Sequence, residues 1–195
     1  MREVVLDIET VPCSPREWKN LVSKAPSLKK KFRGEAALDW ATGRIVCIGL
    51  LFMEGANEEE VCLARAEEAG LLAEFWKAIR RDDRIIGHNV LGFDLPYIQA
   101  RSVVCKVEPS RGFDLRRYST GPVYDTMQVW ANWERQKFPK LETLAAIFEL
   151  DGKKGSGEQV VKWFDAGDWE KIKDYCMQDV RLTRDVYRRL KQYGL

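Results

Sequence analysis

The feature that most constrains this chain is an apolar segment near its beginning that ends in two carboxylates. Residues 4–10 read Val-Val-Leu-Asp-Ile-Glu-Thr, so apolar residues lead directly into Asp7 and Glu9, with Ile8 between them. Successive side chains of a strand alternate between its faces, so Asp7 and Glu9 project to one face and Ile8 to the other. Two carboxylates this close repel each other, and hard divalent cations such as Mg²⁺ prefer oxygen ligands. The tripeptide alone is also typical of ordinary surface charge, but its place at the end of an apolar strand favours a metal site.

Length and composition indicate a globular protein. The chain has 195 residues, which suits one domain over residues 1–195 with a full hydrophobic core. It is 45% hydrophobic and 32% charged, unlike disordered or fibrous chains. Its formal net charge of +2 is only mildly basic. That balance neither demands nor excludes a nucleic-acid partner.

The cysteines and the apolar runs predict a cytoplasmic protein. The five cysteines are an odd number and form no C-x-x-C pair, so we expect reduced thiols rather than a disulfide framework or a zinc site. The chain enters a strand at once, without the basic and apolar regions of a signal peptide. The longest apolar run, residues 45–53, has about half the length of a membrane span, so we expect no membrane association.

Strand-like and helix-like segments alternate after an early hairpin, which predicts an α/β fold with a mixed central sheet flanked by helices. Ser14, Pro15 and Glu17 carry the signature of a capped helix start. The predicted strands are residues 4–10, 44–53, 60–64, 84–87 and 123–125. The predicted helices are the one that starts at Pro15 and those at 67–80, from 93, 127–133, 140–150 and 168–193, with irregular segments at 102–122 and 151–157.

A second polar motif follows the strand at 84–87. His88 and Asn89 lie where this strand ends, and Asp94 lies in the opening turn of the next helix. A carboxylate in a first helical turn is commonly explained by the helix dipole. However, the carboxyl edge of the sheet is the usual location of α/β sites, so Asp94 is also a candidate ligand.

A third motif lies in the last helix. Tyr175 and Asp179 are four residues apart and therefore share one helical face, close to an apolar stripe. A carboxylate near the core needs a partner or a metal. Together Asp7, Glu9, Asp94 and Asp179 would form a cluster of four carboxylates that suits two Mg²⁺ or Mn²⁺ ions.

These motifs carry a family resemblance. Asp7-x-Glu9, then Asn89 and Phe93-Asp94, then Tyr175-x-x-x-Asp179 resemble the three exonuclease motifs of the DEDD superfamily in its tyrosine-type branch. The adjoining residues 7–12, 87–89 and 175–176 resemble the predicted 3′–5′ exonucleases related to the proofreading domains of family-B DNA polymerases. The resemblance extends from residue 4 to about residue 190 and implies a ribonuclease H-like fold.

The resemblance also implies roles for the acidic residues. Asp7, Glu9 and Asp179 would bind the first metal ion. Asp7 would also bind the second ion, with Asp94 acting on it directly or through water. Tyr175 would orient the attacking water.

Substrate contacts are implied by the same resemblance. Asn89 and Phe93 would touch the terminal nucleotides, and the backbone near Ile8 and Thr10 would receive the 3′-terminal sugar. For His88, the only histidine, we favour a structural role at the strand end over a substrate contact.

Several residues fall outside the motifs. The histidine-type branch has a histidine where this chain has Asp174. Asp125 matches no motif and is interpreted as a turn or capping residue. Segment 11–43 is where we expect substrate preference to be set, and its basic stretch 29–33 is interpreted as a solvated face, with a phosphate-contacting flap as the alternative. Packing is the expected role of the tryptophans, with base stacking open for one or two of them: Trp40, Trp130, Trp133, Trp163 and Trp169.

The sequence therefore predicts a metal-dependent 3′–5′ exonuclease that acts on single-stranded 3′ ends. DNA is the expected substrate and RNA the alternative, because no motif shows how a 2′-hydroxyl would be met. The chain has no room for a polymerase domain, so a polymerase or repair partner would act in trans. A non-catalytic nucleic-acid-binding subunit and an α/β domain with scattered surface acids are the remaining alternatives.

Overall fold

The computed structural model describes residues 1–30, 33–151 and 157–195. Its centre is a five-stranded mixed sheet in the order β3-β2-β1-β4-β5. Strand β1 lies in the middle, antiparallel to β2 and parallel to β4, while β4 is parallel to β5 and β3 is antiparallel to β2. The strands are β1 Glu3–Pro12, β2 Gly43–Glu54, β3 Asn57–Ala64, β4 Arg84–Gly87 and β5 Val123–Asp125.

Seven α-helices surround this sheet in the described part of the chain. They are α1 Pro15–Lys24, α2 Glu68–Ala78, α3 Asp94–Cys105, α4 Thr126–Trp130, α5 Leu141–Ile147, α6 Glu158–Ala166 and α7 Trp169–Gln192. Three short 3₁₀ helices lie at Pro26–Lys30, Arg33–Leu38 and Arg135–Lys137. None of the described helices is long and apolar enough to cross a lipid bilayer.

The two faces of the sheet carry separate hydrophobic cores. On one face Val4, Leu6 and Ile8 pack with residues of α2 and α3. On the other face, Val5 packs with residues of α5 and α7, and Val11 packs with residues of α6 and α7. The alternation predicted for the first strand is therefore present, because even- and odd-numbered residues of β1 belong to different cores. Helices on both faces of a mixed sheet are the α/β architecture that is consistent with a ribonuclease H-like exonuclease fold.

The pairing of β1 with β2 is irregular at the end that carries the acids. Glu9 pairs with Cys47 whereas Thr10 pairs with Ile45, so Val46 has no partner on β1. An extra residue of this kind is a β-bulge, which bends the strand and changes the direction of nearby side chains. The bulge therefore lies directly beside Glu9.

The approach of α7 to the sheet depends on Gly49 in β2. Gly49 is the register partner of Asp7. A Cβ atom at position 49 would lie 2.8 Å from Val180 Cγ2 and 2.9 Å from Cys176 Sγ, which is closer than such contacts allow. The absence of a side chain thus brings α7 directly over the backbone next to Asp7.

Most predicted elements are confirmed. The structure contains all five strands, the β2–β3 hairpin, the Ser14 capping box and the long helix that Asp168 caps. Helix α6 is absent from the prediction, because its start at Gly157 has no side-chain cap to signal it.

Other boundaries differ in detail. Helices α4 and α5 are shorter than expected, and α3 continues to Cys105 into the segment that was expected to be irregular. Residues 31–32 of the basic stretch and residues 152–156 of the glycine-rich segment lie outside the described residues.

Candidate active site

The two acids of β1 meet α7 at one point. Carboxylate oxygens of Asp7 and Glu9 and the thiol sulfur of Cys176 all lie within 4.8 Å of one another. Glu9 and Cys176 are buried, and Asp7 is half-buried. Residues from the two ends of the chain therefore form a single group with three potential metal ligands.

Cys176 fixes the position of Asp7. Its thiol lies 3.6 Å from both the backbone carbonyl oxygen and the Oδ2 atom of Asp7, within hydrogen-bonding distance for sulfur. A hydrogen bond with Cys47 lowers the pKa of Cys176, but burial and the charges of Asp7 and Glu9 outweigh it and raise this pKa well above its ordinary value. The thiol thus stays protonated and can donate to Asp7.

Asp94 contacts the same strand from the start of α3. It is the first residue of α3, is 4% exposed, and its Oδ1 accepts a 3.1 Å hydrogen bond from the backbone N–H of Ile8. Burial raises the pKa of Asp94 to about 7, although N–H donors of its own backbone and of Ile8 lower it. The charges of Asp125 and Asp179 add to the increase. Asp94 is therefore a buried acid in a field of other acids.

Helix α7 supplies the fourth acid and the tyrosine. Asp179 is 7% exposed, as its position near the apolar stripe predicted, and its charge acts on Asp94. Tyr175 is also buried, and its ring lies edge-on to the ring of Trp163, with the centroids 5.7 Å apart. Cys176 lies between them in sequence, so this stretch of α7 faces Asp7 and Glu9.

Asp125 has a different environment from the four acids above. Its two oxygens accept hydrogen bonds from the backbone N–H groups of Asn89, Leu91, Met127 and Gln128 at 3.0–3.2 Å. A longer bond of 3.3 Å comes from the side-chain amide of Gln128. The interpretation of Asp125 as a capping residue is confirmed, because it is the N-cap of α4. It also holds the turn that precedes Asp94.

His88 and Asn89 lie in that turn, between β4 and α3. The His88 ring contacts Thr126 Oγ1 and the Pro139 carbonyl oxygen, each at 3.0 Å, which fits the structural role favoured from the sequence. Asn89 adopts a left-handed backbone with φ of 62°, and its carbonyl oxygen accepts the N–H groups of Gly92 and Phe93. A substrate contact for Asn89 stays a prediction.

The remaining predicted contacts surround β1 and the start of α3. Ile8 is buried in the core, and its N–H is used by Asp94. Thr10 is 9% exposed and lies near Tyr97, whose ring lies 5.3 Å from that of half-buried Phe93. Contacts of Ile8, Thr10 and Phe93 with a nucleotide stay predictions.

The donor set fits a divalent cation. Asp7 and Glu9 provide oxygen ligands close together, which is the ligand type that Mg²⁺ and Mn²⁺ prefer. Asp94 and Asp179 add further buried negative charge that acts across the same region. Several buried acids close together are stabilised by a cation, because its charge offsets their mutual repulsion. The arrangement can therefore attract a divalent cation to a point beside the central strand β1.

Cys176 is the residue that sequence reasoning missed. In the sequence, Cys176 is distinguished only as one of five thiols and as part of segment 175–176, which carries some of the family resemblance. The position of Cys176 between Tyr175 and Asp179 could have indicated its place in the site, because it directly follows the candidate tyrosine. Its contact with Asp7 depends on the rotation of α7 and on the space at Gly49, which the sequence does not state.

Comparison with known proteins gives the family. A model of predicted 3′–5′ exonucleases related to the exonuclease domain of PolB matches residues 38–194. The match includes Asp94, Tyr175 and Asp179, whereas Asp7 and Glu9 precede it. No protein with a curated description matches the chain significantly. Since the matched residues cover most of the sequence, the chain belongs to this family of predicted 3′–5′ exonucleases.

Proposed function

We propose that this protein is a metal-dependent 3′–5′ exonuclease of the tyrosine-type DEDD branch, and that residues 1–195 form one exonuclease domain. The observation that carries the proposal is the convergence of Asp7 and Glu9 with α7 at Cys176, within 4.8 Å. Asp94 joins them through its hydrogen bond to Ile8, the residue between the two acids. Carboxylates brought together from distant parts of the chain repel one another, and a divalent cation would offset that repulsion.

Two divalent cations are the cofactors that we propose, Mg²⁺ or Mn²⁺. When bound, they would supply the positive charge that stabilises the attacking and leaving oxygens of a phosphodiester during in-line displacement. Asp7, Glu9 and Asp179 would hold one ion, and Asp7 with Asp94 the other. With this charge in place, no nucleophilic side chain is needed.

The chain's own groups orient the reactants. Tyr175 would donate or accept a hydrogen bond at the attacking water, and its burial keeps the phenol in one orientation. The Cys176 thiol holds Asp7 by its contacts at 3.6 Å. Asn89 and Phe93, in the turn next to Asp94, would contact the terminal nucleotide. Orientation of this kind contributes to the rate because it removes the entropic cost of positioning.

Single-stranded DNA is the substrate that we propose. The family description relates the chain to an exonuclease domain of a DNA polymerase, which favours DNA over RNA. Glu9, Asp94 and Asp179 are all buried, which favours a flexible single strand over a rigid duplex as the substrate.

A ladder assay tests the proposal. The purified protein is incubated with 5′-labelled single-stranded DNA, and separately with RNA of the same sequence, in Mg²⁺, in Mn²⁺ and in EDTA. We expect products that shorten one nucleotide at a time from the 3′ end with either metal, no products in EDTA, and faster cleavage of DNA. Faster cleavage of RNA would transfer the proposal to RNA, and cleavage in EDTA would contradict the metal mechanism.

Three variants of α7 test the proposed roles of Asp179 and Tyr175. Asp179→Asn should abolish the ladder and leave the far-ultraviolet circular dichroism unchanged, because it removes a ligand charge but little volume. Asp174→Asn is the matched control, since Asp174 lies on the same helix but is exposed. Tyr175→Phe should slow cleavage without weakening metal binding. Parental cleavage by Asp179→Asn would show that this ligand assignment is wrong.

A further inference from the structure

A cleft of about 430 Å³ opens beside the turn that leads into Asp94. Asn89 in this turn and Gln128 in α4 line its inner wall. Arg117, from the irregular segment after α3, forms another wall. The cleft has the volume of a small-ligand site and lies within a few residues of the proposed metal ligands. None of the lining residues in the described part of the chain is acidic.

Two arginines give the cleft its charge. Arg117 and Arg135 both line it, both are exposed, and no described carboxylate forms an ion pair with either. Two cationic residues close to them in the sequence do form ion pairs. Arg116 pairs with Asp114 at 2.6 Å, and Lys137 pairs with Glu134 at 2.9 Å. The nearby acids are therefore neutralised by other cations, and the guanidinium groups of the cleft remain available for a phosphate.

Two aromatic rings also line the cleft. Trp133 and Phe138 line it and are half-buried. The Trp133 ring lies 5.5 Å from the ring of exposed Tyr118, which extends the aromatic surface outward. Aromatic surfaces next to cationic groups are the usual means of binding unpaired nucleotides, because every base has a face that can stack.

The backbone around the cleft is held in an unfavourable conformation. Of the six non-glycine residues with positive φ in the described chain, Asn89 and Trp133 line this cleft, with φ of 62° and 59°. Two more, Tyr118 and Asn132, directly follow or precede a lining residue in the sequence, with φ of 63° and 48°. Left-handed backbone at a bulky residue such as Trp133 costs free energy and persists where the surrounding structure fixes it, which is frequent at ligand sites. The aromatic wall is thus set in place by the fold.

We infer that this cleft binds one unpaired nucleotide of the substrate strand, on the 5′ side of the bond that is cut. Arg117 and Arg135 contact the phosphates, and the base stacks on Phe138 and Trp133. The inference rests on the proposed function, since the exonuclease reaction defines the side of the cut. Because stacking in the cleft requires an unpaired base, it also gives a physical reason for preferring single strands.

Binding without cleavage tests the cleft directly. The affinity of a 5′-fluorescein-labelled deoxythymidine oligonucleotide is measured by anisotropy in EDTA, for the parent and for the Arg117→Ala/Arg135→Ala variant. We expect Kd to rise at least tenfold, and the slope of log Kd against log salt to fall by about 1.4, since each phosphate contact on a single strand contributes about 0.7. Arg81→Ala is the matched control, because Arg81 is exposed and precedes the opposite end of β4.

Two outcomes of this experiment overturn the inference. One is an unchanged Kd in the double variant. The other is an equal loss in Arg81→Ala, which would show general attraction to a basic surface. Neither outcome depends on catalysis.

A shortened substrate separates the cleft from the metal site. The p-nitrophenyl ester of thymidine 5′-monophosphate has nitrophenol in place of the nucleotide that would occupy the cleft. We expect kcat/KM of the double variant to fall about tenfold more for the oligonucleotide than for this ester. Equal losses for both substrates overturn the inference. If the parent hydrolyses neither substrate, the exonuclease proposal fails, and the anisotropy result still decides whether the cleft binds a nucleotide.

Removal of the base tests the stacking. An oligonucleotide that is abasic at the second position from its 3′ end should bind the parent about tenfold more weakly than the intact strand, as expected for one lost stacking contact. In Phe138→Ala this difference should shrink to about twofold or less, because the ring no longer distinguishes the two strands. A difference that stays tenfold in Phe138→Ala overturns the assignment of the base to this wall.

Discussion

Asp94 and Asp125 are alike in sequence and in burial but differ in what surrounds their charge. Both are aspartates that begin or cap a helix near the end of a parallel strand, and they are 4% and 1% exposed. Asp125 accepts hydrogen bonds from four backbone N–H groups and one side-chain amide. Among the described residues, Asp94 accepts hydrogen bonds only from Ile8 and from its own backbone, and the charges of Asp125 and Asp179 act on it.

The difference separates a structural acid from one for which we propose a role in catalysis. Four backbone N–H donors lower the pKa of Asp125, although burial still raises it above the ordinary value, and these hydrogen bonds give the residue a structural role within the fold. The chain leaves the charge of Asp94 poorly stabilised, as is common for residues that act on a ligand or metal. A buried carboxylate therefore indicates a functional site only when the number of hydrogen bonds that it accepts is also considered.

Exchange of each aspartate for asparagine should give opposite results, and activity should show the largest effect. Asp94→Asn should reduce cleavage at least about 10³-fold, because it removes charge from the proposed metal site. At pH 8 in EDTA its free energy of unfolding should rise by roughly 2 kcal/mol, since a buried charge is lost and the bond from Ile8 can be kept. Gel-based cleavage rates and urea unfolding give the two numbers. A destabilised Asp94→Asn would place Asp94 in the same class as Asp125.

Burial raises the pKa of both Asp94 and Asp125, so the contribution of Asp94 to the pH dependence of stability in EDTA is obtained by comparing the parent with Asp94→Asn. An ordinary aspartate in an unfolded chain has a pKa of about 3.9, whereas burial raises the pKa of Asp94 in the folded protein to about 7. The folded state therefore holds the proton more tightly, so its stability should fall as pH rises from about 4 to about 7. The displacement of about three units corresponds to roughly 4 kcal/mol.

Urea unfolding at pH 5 and pH 8 checks this prediction, with Asp94→Asn as the comparison. The variant should lose most of the difference between the two pH values. Excess Mg²⁺ should reduce the difference in the parent, because a bound cation favours the charged carboxylate. Identical pH profiles for the two proteins would contradict the environment described for Asp94.

Asp125→Asn should act on stability rather than on chemistry. An amide NH₂ placed among five donors leaves at least one of them without an acceptor, which costs about 2–3 kcal/mol. The urea midpoint should therefore fall. Metal affinity, measured by titration calorimetry, should change much less than in Asp94→Asn. A loss of metal binding equal to that of Asp94→Asn would make Asp125 a ligand and remove the contrast.

The smallest effect concerns a single donor to Asp125. Gln128→Ala removes the 3.3 Å bond from the side-chain amide and leaves the four backbone donors in place. We expect a loss of about 1 kcal/mol in the free energy of unfolding. In an Asp125→Asn background the same substitution should cost less, which a double-mutant cycle would show. Full additivity would mean that the amide does not interact with Asp125.

The sequence predicted those parts of the site that depend on local periodicity. The alternation of β1 placed Asp7 and Glu9 on one face and Ile8 on the other, and the separate cores of the sheet confirm it. The spacing on α7 likewise placed Asp179 near the buried stripe. These inferences succeed because one dihedral pattern fixes them.

Features that depend on contacts between distant elements were not predictable. The environment of Asp125 requires the turn that contains Asn89 to come back against the start of α4. The contact of Cys176 with Asp7 requires a helix to settle on a strand 169 residues away in sequence. Helix α6 lacked a capping side chain, so no local signal marked its beginning. Tertiary packing decides all three.

The lack of a side chain at Gly49 has a practical consequence. Since this residue is opposite Asp7 and touches α7 near Cys176 and Val180, it acts as a spacer of minimum thickness between helix and sheet. Adding one methyl group there would lift the helix as a rigid body and carry Tyr175 and Asp179 away from the acids of β1. The width of the site could thus be adjusted in small increments without altering any of the groups that line it.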